Sequence, residues 1–422
     1  MSLPQIPLFL YDDGHKLMDD KPRNLRTLLA EAKDTSELMV DLAYAAVYFG
    51  DPDMAEEVRD LESTMTSLVD DMRRLAVLGV RHPREAPGMS RVLQVISAIE
   101  RIGNDAVNIA RTVSNNLGIP THLIEELSDA EEISHRVVVT DECTMAHRAL
   151  SELEMPVHTG MRVLAVRDGE GWTTTVDGNT ILVPGDVLFL EGPPAGIATI
   201  REWAGAPPKP EIVETEPVEE LDRAIDLLVE MKNVSEAAVG LAYSALVLHD
   251  RGLAAEVRHL ETRLDEMHDQ LETWVLRAAK GRTTDPSPLR GLLHLAAASE
   301  DIGDQASAMV MFVEHGQEVH PVLQVALHDA DEVVLRVPVA AKSRAEGASL
   351  AELQLDVAPG YSILAIKRGA TYRHRPRGYD RFEVGDEVIA SGPDEGREQF
   401  AEVFGWKLVA DEEAGDHELA AL

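Results

Sequence analysis

Four carboxylates in the second half of the chain have the spacing of a metal site. Glu261 and Asp265 stand four residues apart, as do Glu300 and Asp304. On a helix that interval puts both side chains on one face, and carboxylate oxygens suit hard and first-row divalent cations. The corresponding positions in the first half are Glu62 with Thr66, and Glu100 with Asn104 and Asp105, so each pair there has lost one carboxylate. A divalent ion, if one binds, is therefore expected in the second half rather than the first. The alternative is a solvated acidic helix face, a common feature of so acidic a chain. Other reactive groups offer less. Cys143 is the single cysteine, which excludes an internal disulfide or thiolate zinc site and fits a small, partly buried filler. His147 and His158 read as surface residues. No GxGxxG, GxxxxGK[ST], HExxH or GxSxG pattern is present. An enzyme is not expected; a metal-dependent hydrolase using the four carboxylates is the remaining catalytic reading.

The elements that must position these groups repeat once. Leu42-Ala43-Tyr44 returns as Leu241-Ala242-Tyr243, and Glu57-Val58-Arg59 as Glu256-Val257-Arg258. Glu100, Ile102 and Gly103 return as Glu300, Ile302 and Gly303, and Gly185-Asp186 as Gly385-Asp386. The chain is a duplication, with its seam in the Pro- and Glu-rich stretch from Pro207 to Pro217. Within each half, residues 24–127 and 218–327 carry helical apolar periodicity, exemplified by Val92, Val95, Ile96, Ile99 and Ile102. Breaks at 82–88 and 283–288 split them into bundles of three or four antiparallel helices. Gly103 and Gly303 each cost roughly 1 kcal/mol in a helix relative to alanine, which close helix packing would explain.

Residues 134–205 and 333–410 change period. A strand and a short helix (144–153; 347–353) precede short apolar runs at Met161–Val166 and Tyr361–Ile366, a β-branched run at Thr173–Val176, and runs at Asp186–Glu191 and Asp386–Ser391 after Gly-Asp turns. The fold class is thus α+β and multidomain, with two helical bundles alternating with two small α+β domains.

Composition bounds the partners. The 422 residues are 45% hydrophobic and 27% charged, and the formal charge is −36. That field repels nucleic-acid polymers and anionic membrane surfaces. Met1 to Asp20 lacks the basic start and apolar core of a signal peptide. No window approaches the roughly 18 apolar residues of a membrane helix, so direct insertion is not expected and a cytoplasmic protein is.

Leu150-Ser-Glu-Leu-Glu-Met, Gly160-Met-Arg-Val-Leu-Ala-Val-Arg167 and Val183-Pro-Gly-Asp-Val-Leu-Phe-Leu-Glu-Gly192-Pro together resemble the TrkA C-terminal (regulator of potassium conductance C-terminal) domain, as do their copies from Leu350, Gly360 and Val384. Glu100-Arg-Ile-Gly-Asn-Asp and Glu300-Asp-Ile-Gly-Asp304 resemble the PhoU signature, and the pairs Glu261/Asp265 and Glu300/Asp304 match its metal-motif spacing. The TrkA-C resemblance implies a small-ligand site at a paired domain interface, with cyclic di-AMP as one such ligand. Its residues here would be Val163, Leu164 and Arg167 in copy one and Ile363, Leu364 and Arg368 in copy two; the apolar four would otherwise be core or interface residues. The resemblance as a whole implies a ligand-sensing regulatory subunit of a potassium or other cation transporter or channel, acting as a homo-oligomer. The alternative is a PhoU-like metal-binding regulator of phosphate uptake or signalling.

Overall fold

In the computed structural model, described for residues 23–118, 120, 123, 127, 133–168, 171–207, 219–280, 286–328, 332–369, 371–411 and 416–421, each half is a long-helix bundle followed by a four-stranded antiparallel sheet. The N-terminal stretch Met1 to Asp20 and the seam beyond Pro207 lie outside those residues.

The first bundle consists of α1 (Leu25–Phe49), α2 (Pro52–Gly79) and α3 (Ala86–Ser114). Local chemistry fixes its corner. Asn24 caps α1 in a capping box with Thr27, Gly50 ends it at φ 59°, and the Asp51 carboxylate caps α2 with Pro52 at the first helical position. The first sheet domain holds β1 (Ile133–Val138), α4 (Leu150–Leu153), α5 (Met155–Thr159), β2 (Arg162–Arg167), β3 (Trp172–Thr173), β4 (Val187–Gly192) and α6 (Ile197–Trp203), in strand order β1-β4-β2-β3. The second half repeats this as α7 (Glu219–Leu248), α8 (Arg251–Ala279), α9 (Ser287–Glu314) and α10 (Pro321–His328), then β5 (Glu332–Pro338), α11 (Leu350–Leu353), β6 (Ser362–Arg368), β7 (Thr371–His374), β8 (Glu387–Pro393) and α12 (Arg397–Val403), in the same order β5-β8-β6-β7. A hairpin of β9 (Trp406–Asp411) and β10 (Asp416–Ala421) follows, which the sequence reading did not contain.

Three expected elements are shorter than their patterns. The β-branched run at Thr173–Val176 forms a strand only at Trp172–Thr173, residues 144–147 are turns, so the helix expected over 144–153 starts at Leu150, and the one expected over 347–353 likewise starts at Leu350. His147 takes φ 62° and donates its backbone N–H to Leu182, which takes that segment out of the helical register.

Each sheet domain docks on the corner of its own bundle. In the second half the α8 cap, Asp250, also accepts from Tyr372 Oη at 2.8 Å and pairs with Arg336. In the first half Phe49 packs edge-on to Phe189 at 5.0 Å and lies under Arg136. The bundles pack mainly α3 on α9, antiparallel: Gly88 of α3 lies beside His320, and Gly291 of α9 beside the Gly118 carbonyl. One apolar core runs through both bundles. A Cβ on Gly103 would sit 3.2 Å from Met39 Sδ, and one on Gly303 2.3 Å from Leu264 Cδ1, so both glycines permit the close approach expected of them.

Buried Asp105, on α3, makes the bundle seam sensitive to pH. Burial first, then Asp301 across the seam, push its carboxyl up to about 7. A carboxyl whose folded value is raised loses stability as pH rises from its unfolded value, near 4, to its folded value. Urea midpoints of the parent should therefore fall between about pH 4 and pH 7. The Asp105→Asn variant should give a flatter profile in that window; equal slopes would assign the pH dependence to other groups.

Candidate functional site

The two sheet domains meet each other at matching glycines. Gly160 ends α5 at φ 68°, where an added Cβ would lie 2.1 Å from the Asp356 carbonyl oxygen. Gly360, at φ 85°, is held equally close, 2.3 Å, to the Pro156 carbonyl oxygen. Only a residue without a Cβ fits either place. Behind this contact lies a cavity of about 1320 Å³ walled by all four domains: Glu37 and Asp41 of α1, Arg162, Val163 and Glu191 of the first sheet, Glu236 and Gly240 of α7, and Ser362, Ile363 and Ser391 of the second sheet. Its volume exceeds that of common small-molecule pockets.

Its inner wall is an ion network. Lys33 Nζ lies 2.6 Å from Glu37 and 3.6 Å from Asp34. Burial alone would depress the Lys33 ammonium; Glu37, Asp34 and Glu332 instead hold it above the ordinary lysine range. Arg162 reaches Asp41 at 3.1 Å and Glu332 at 2.7 Å, so one guanidinium ties the first bundle, the first sheet and the second sheet together. Burial opposes the Glu332 carboxylate, yet Arg162 and Lys33 keep it below its usual range. Glu191, 2% exposed, abuts Asp41. Burial, then Glu191, push Asp41 well above the ordinary carboxylate range. Oε2 of Glu191 has no hydrogen-bond partner among the described residues. In the second half Lys232 pairs with Glu236 at 2.6 Å, and the two lysines cross the seam: Lys33 lies 5.3 Å from the Tyr243 ring and Lys232 5.2 Å from that of Tyr44.

The residues expected from sequence are distributed differently. Val163 and Ile363 face the cavity, as does Leu364 in part. Leu164 and Leu364 occupy the same β-bulge in their two sheets, where the register with β4 and β8 shifts. Such a bulge re-aims its side chain, and both leucines pack on the helical core, Leu364 against Gly240. Arg167 and Arg368 sit at the far ends of their strands, away from the cavity wall. Arg167 covers Trp172 at 5.4 Å and reaches toward Asp53. Arg368 forms a two-pronged pair with Asp386, both contacts 2.7 Å, and also holds Glu383 and the Arg381 carbonyl. The anion fork expected at Arg368 is thus engaged by carboxylates of its own domain. Asp386 in turn accepts the Glu383 N–H, and Asp186 the Val183 N–H, so the repeated Gly-Asp motif is a turn lock. His147 and His158 are exposed, and Cys143 packs half-buried at the edge of the first sheet domain's core.

Sequence reasoning missed Asp41, Arg162, Glu191 and Glu332. It also passed over a visible signal, the pair Lys33/Glu37 and its copy Lys232/Glu236, charged residues set in the buried stripes of α1 and α7.

The acidic pairs of the second bundle do converge. Oxygens of Glu261, Asp265 and Asp304 lie within 4.8 Å of one another, and Glu300 hydrogen-bonds to Asp265. Burial, then Asp304 and Asp301, push Glu300 up to about 7. Three anionic oxygens that close can share one divalent ion, so the donor set fits a metal. In the first bundle Arg73 instead reaches Glu100 at 2.6 Å, a fixed cation where the second bundle gathers carboxylates.

The PhoU domain profile matches residues 29–113 and 228–313, and the TrkA-C domain profile residues 135–205 and 334–405. The chain carries two PhoU domains and two TrkA-C domains. This combination points to a regulatory role. Among solved structures, PhoU from Pseudomonas aeruginosa is 14% identical, covering 69% of this chain and 96% of its own at a TM-score of 0.39. The phosphate transport system regulatory protein PhoU from Streptococcus pneumoniae is 12% identical, covering 69% and 94% at a TM-score of 0.38. The GsuK RCK domain is 16% identical, covering 66% and 64% at a TM-score of 0.17. No curated protein matches the sequence. No helix among the described residues is long and apolar enough to cross a membrane.

Proposed function

We propose that this protein is a ligand-responsive regulatory subunit of a cation transport system, potassium foremost, with the cleft between its TrkA-C domains as the sensing site. The observation that supports this reading is the shared wall: all four domains line one cavity, and Arg162 joins three of them. A ligand that favours one spacing of the walls then biases the whole chain, because coupling requires only differential affinity for two arrangements. The PhoU domains relay the change to a transporter or channel. Cyclic di-AMP, mononucleotides and small cations are the ligands to screen by thermal shift, against the parent and an Ile363→Trp variant that crowds the cavity wall. A ligand that stabilises the parent and not the variant supports the cleft as the site; equal stabilisation of both moves the site elsewhere.

A second reading is carried by the acidic cluster. Here Glu261, Asp265 and Asp304, with Glu300 beside them, hold a divalent ion in the second PhoU domain, as in a PhoU-like regulator of phosphate uptake. The ion would screen like charges that now crowd one another. Manganese is expected to raise the melting temperature of the parent, and at one hundred times Kd that stabilisation is about 2.7 kcal/mol. Glu261→Gln should remove the effect and Glu100→Gln should leave it. Equal loss in both, or no shift in the parent, would reject the assignment.

A further inference from the structure

A basic run interrupts the acidic chain at Arg373-His-Arg-Pro-Arg377, from the end of β7 into the turn after it. The first half has Thr173-Thr-Thr-Val-Asp177 in its place, and Arg263 of α8 likewise stands where α2 has Thr64. Two of these arginines converge. Arg263 reaches Oε1 of Glu230 at 2.7 Å, and Arg375 reaches the same oxygen at 3.4 Å. The backbone holds Arg375 there against its own preference: φ is 43°, in the left-handed region, and Pro376 follows, which ordinarily keeps the preceding residue extended. Its N–H donates to the Leu364 carbonyl at 3.1 Å, pinning the turn to β6. Non-glycine residues held in that region cluster at ligand and active sites. Two residues on, the Arg377 side chain is exposed and makes no ion pair among the described residues; its backbone N–H donates to Asp380. Of the neighbouring groups, Arg373 pairs with Asp380, and His374 lies 3.4 Å from Glu256. Arg263, Arg375 and Arg377 all line the cleft, and so does Glu230. Around Lys33 and Arg162 the same wall carries Glu37, Asp41, Glu191 and Glu332, so its sign reverses at this corner.

We propose that this corner anchors one phosphate group of a small ligand, its oxygens taken by the guanidinium groups of Arg263, Arg375 and Arg377 in competition with Glu230. The inference rests on the cleft being the sensing site, and it specifies the anchor and the ligand class. Guanidinium forks match phosphate oxygens with paired N–H donors, which a point charge does not. The matching positions of the first half are Thr64, Thr175 and Asp177, so one chain offers one such anchor. A ligand with a single phosphate therefore fits better than a cyclic dinucleotide, whose second phosphate would meet the acidic part of the wall.

The test is calorimetry of the full chain with inorganic phosphate at low ionic strength. The parent should bind one phosphate, and Arg263→Gln and Arg375→Gln should each weaken it about tenfold or more. Glu230→Gln removes the competing carboxylate and should tighten binding about tenfold, a gain that damage to the fold would not produce. Arg258→Gln, on the same helix but paired with Glu314 outside the cleft wall, should leave the affinity unchanged. No binding to the parent, unchanged affinity in both arginine variants, no gain in Glu230→Gln, or an equal loss in Arg258→Gln each overturn the proposal. If phosphate fails to bind while another ligand stabilises the parent and not Ile363→Trp, the cleft remains the sensing site and only the phosphate anchor falls. If phosphate binds as expected while the screened ligands stabilise the parent and Ile363→Trp equally, the anchor stands and the wider reading of the cleft falls.

Discussion

Replacing Arg162 with alanine should destabilise the protein by about 1.5–3 kcal/mol, the range for hydrogen bonds to charged groups, because its half-buried guanidinium serves two carboxylates. Among the described residues the guanidinium is the one cation that touches both Asp41 and Glu332, at 3.1 and 2.7 Å, and both carboxylates lie in the cleft wall. Without it Asp41 crowds Glu191, while Lys33 still acts on Glu332. Arg162→Lys should recover part of the loss, because one ammonium cannot serve two carboxylates with the planar geometry of the fork. Denaturant unfolding measures the difference. A useful comparison is Arg59→Ala, whose partner Glu56 lies on the exposed face of α2; that loss should stay within about 0.5 kcal/mol. If Arg162→Ala costs no more than Arg59→Ala, the network contributes nothing to holding the domains together.

The second large effect is expected at the contact between the two TrkA-C domains. Gly160→Ala puts a methyl 2.1 Å from the Asp356 carbonyl oxygen and asks alanine to adopt φ 68°. Backbone is on both sides, so neither atom can swing away. The loss should be on the order of 3 kcal/mol, combining left-handed strain with overpacking. Gly185→Ala supplies the comparison, since φ there is 97° but nothing lies within 4 Å of the added methyl. It should cost only the conformational part. Scanning calorimetry of the two variants separates the terms: equal losses would mean that the domain contact is loose enough to open at no cost.

Much of the architecture was legible in the sequence because it is written in short-range chemistry. Asn24, Gly50 and Asp51 mark helix ends by capping alone, and the repeated Gly-Asp turns mark the start of β4 and β8. The metal-like spacing of Glu261, Asp265, Glu300 and Asp304 needed only that two helices lie side by side, and α8 and α9 do. The cleft was not legible for the opposite reason. Arg162 and Asp41 are separated by 121 residues, and nothing local says that they meet. Leu164 sits in the core and Leu364 only partly on the cavity wall because each occupies a β-bulge, a register shift that sequence alternation does not reveal. Arg368 looked like a ligand fork until the fold brought Asp386 to it across 18 residues.

The covalent union of the two halves also sets how the cleft assembles. Two separate chains that paired through such a contact would come apart on dilution, and their response to ligand would track protein concentration. Here the partner sheet arrives on the same chain, so the pairing is unimolecular and sees a local concentration in the millimolar range whatever the amount of protein around it. A tether of this kind frees the two copies to diverge, since a change on one side is no longer imposed on the other. Arg263, Arg375 and Arg377, where the first half has Thr64, Thr175 and Asp177, are what that freedom has left in the wall.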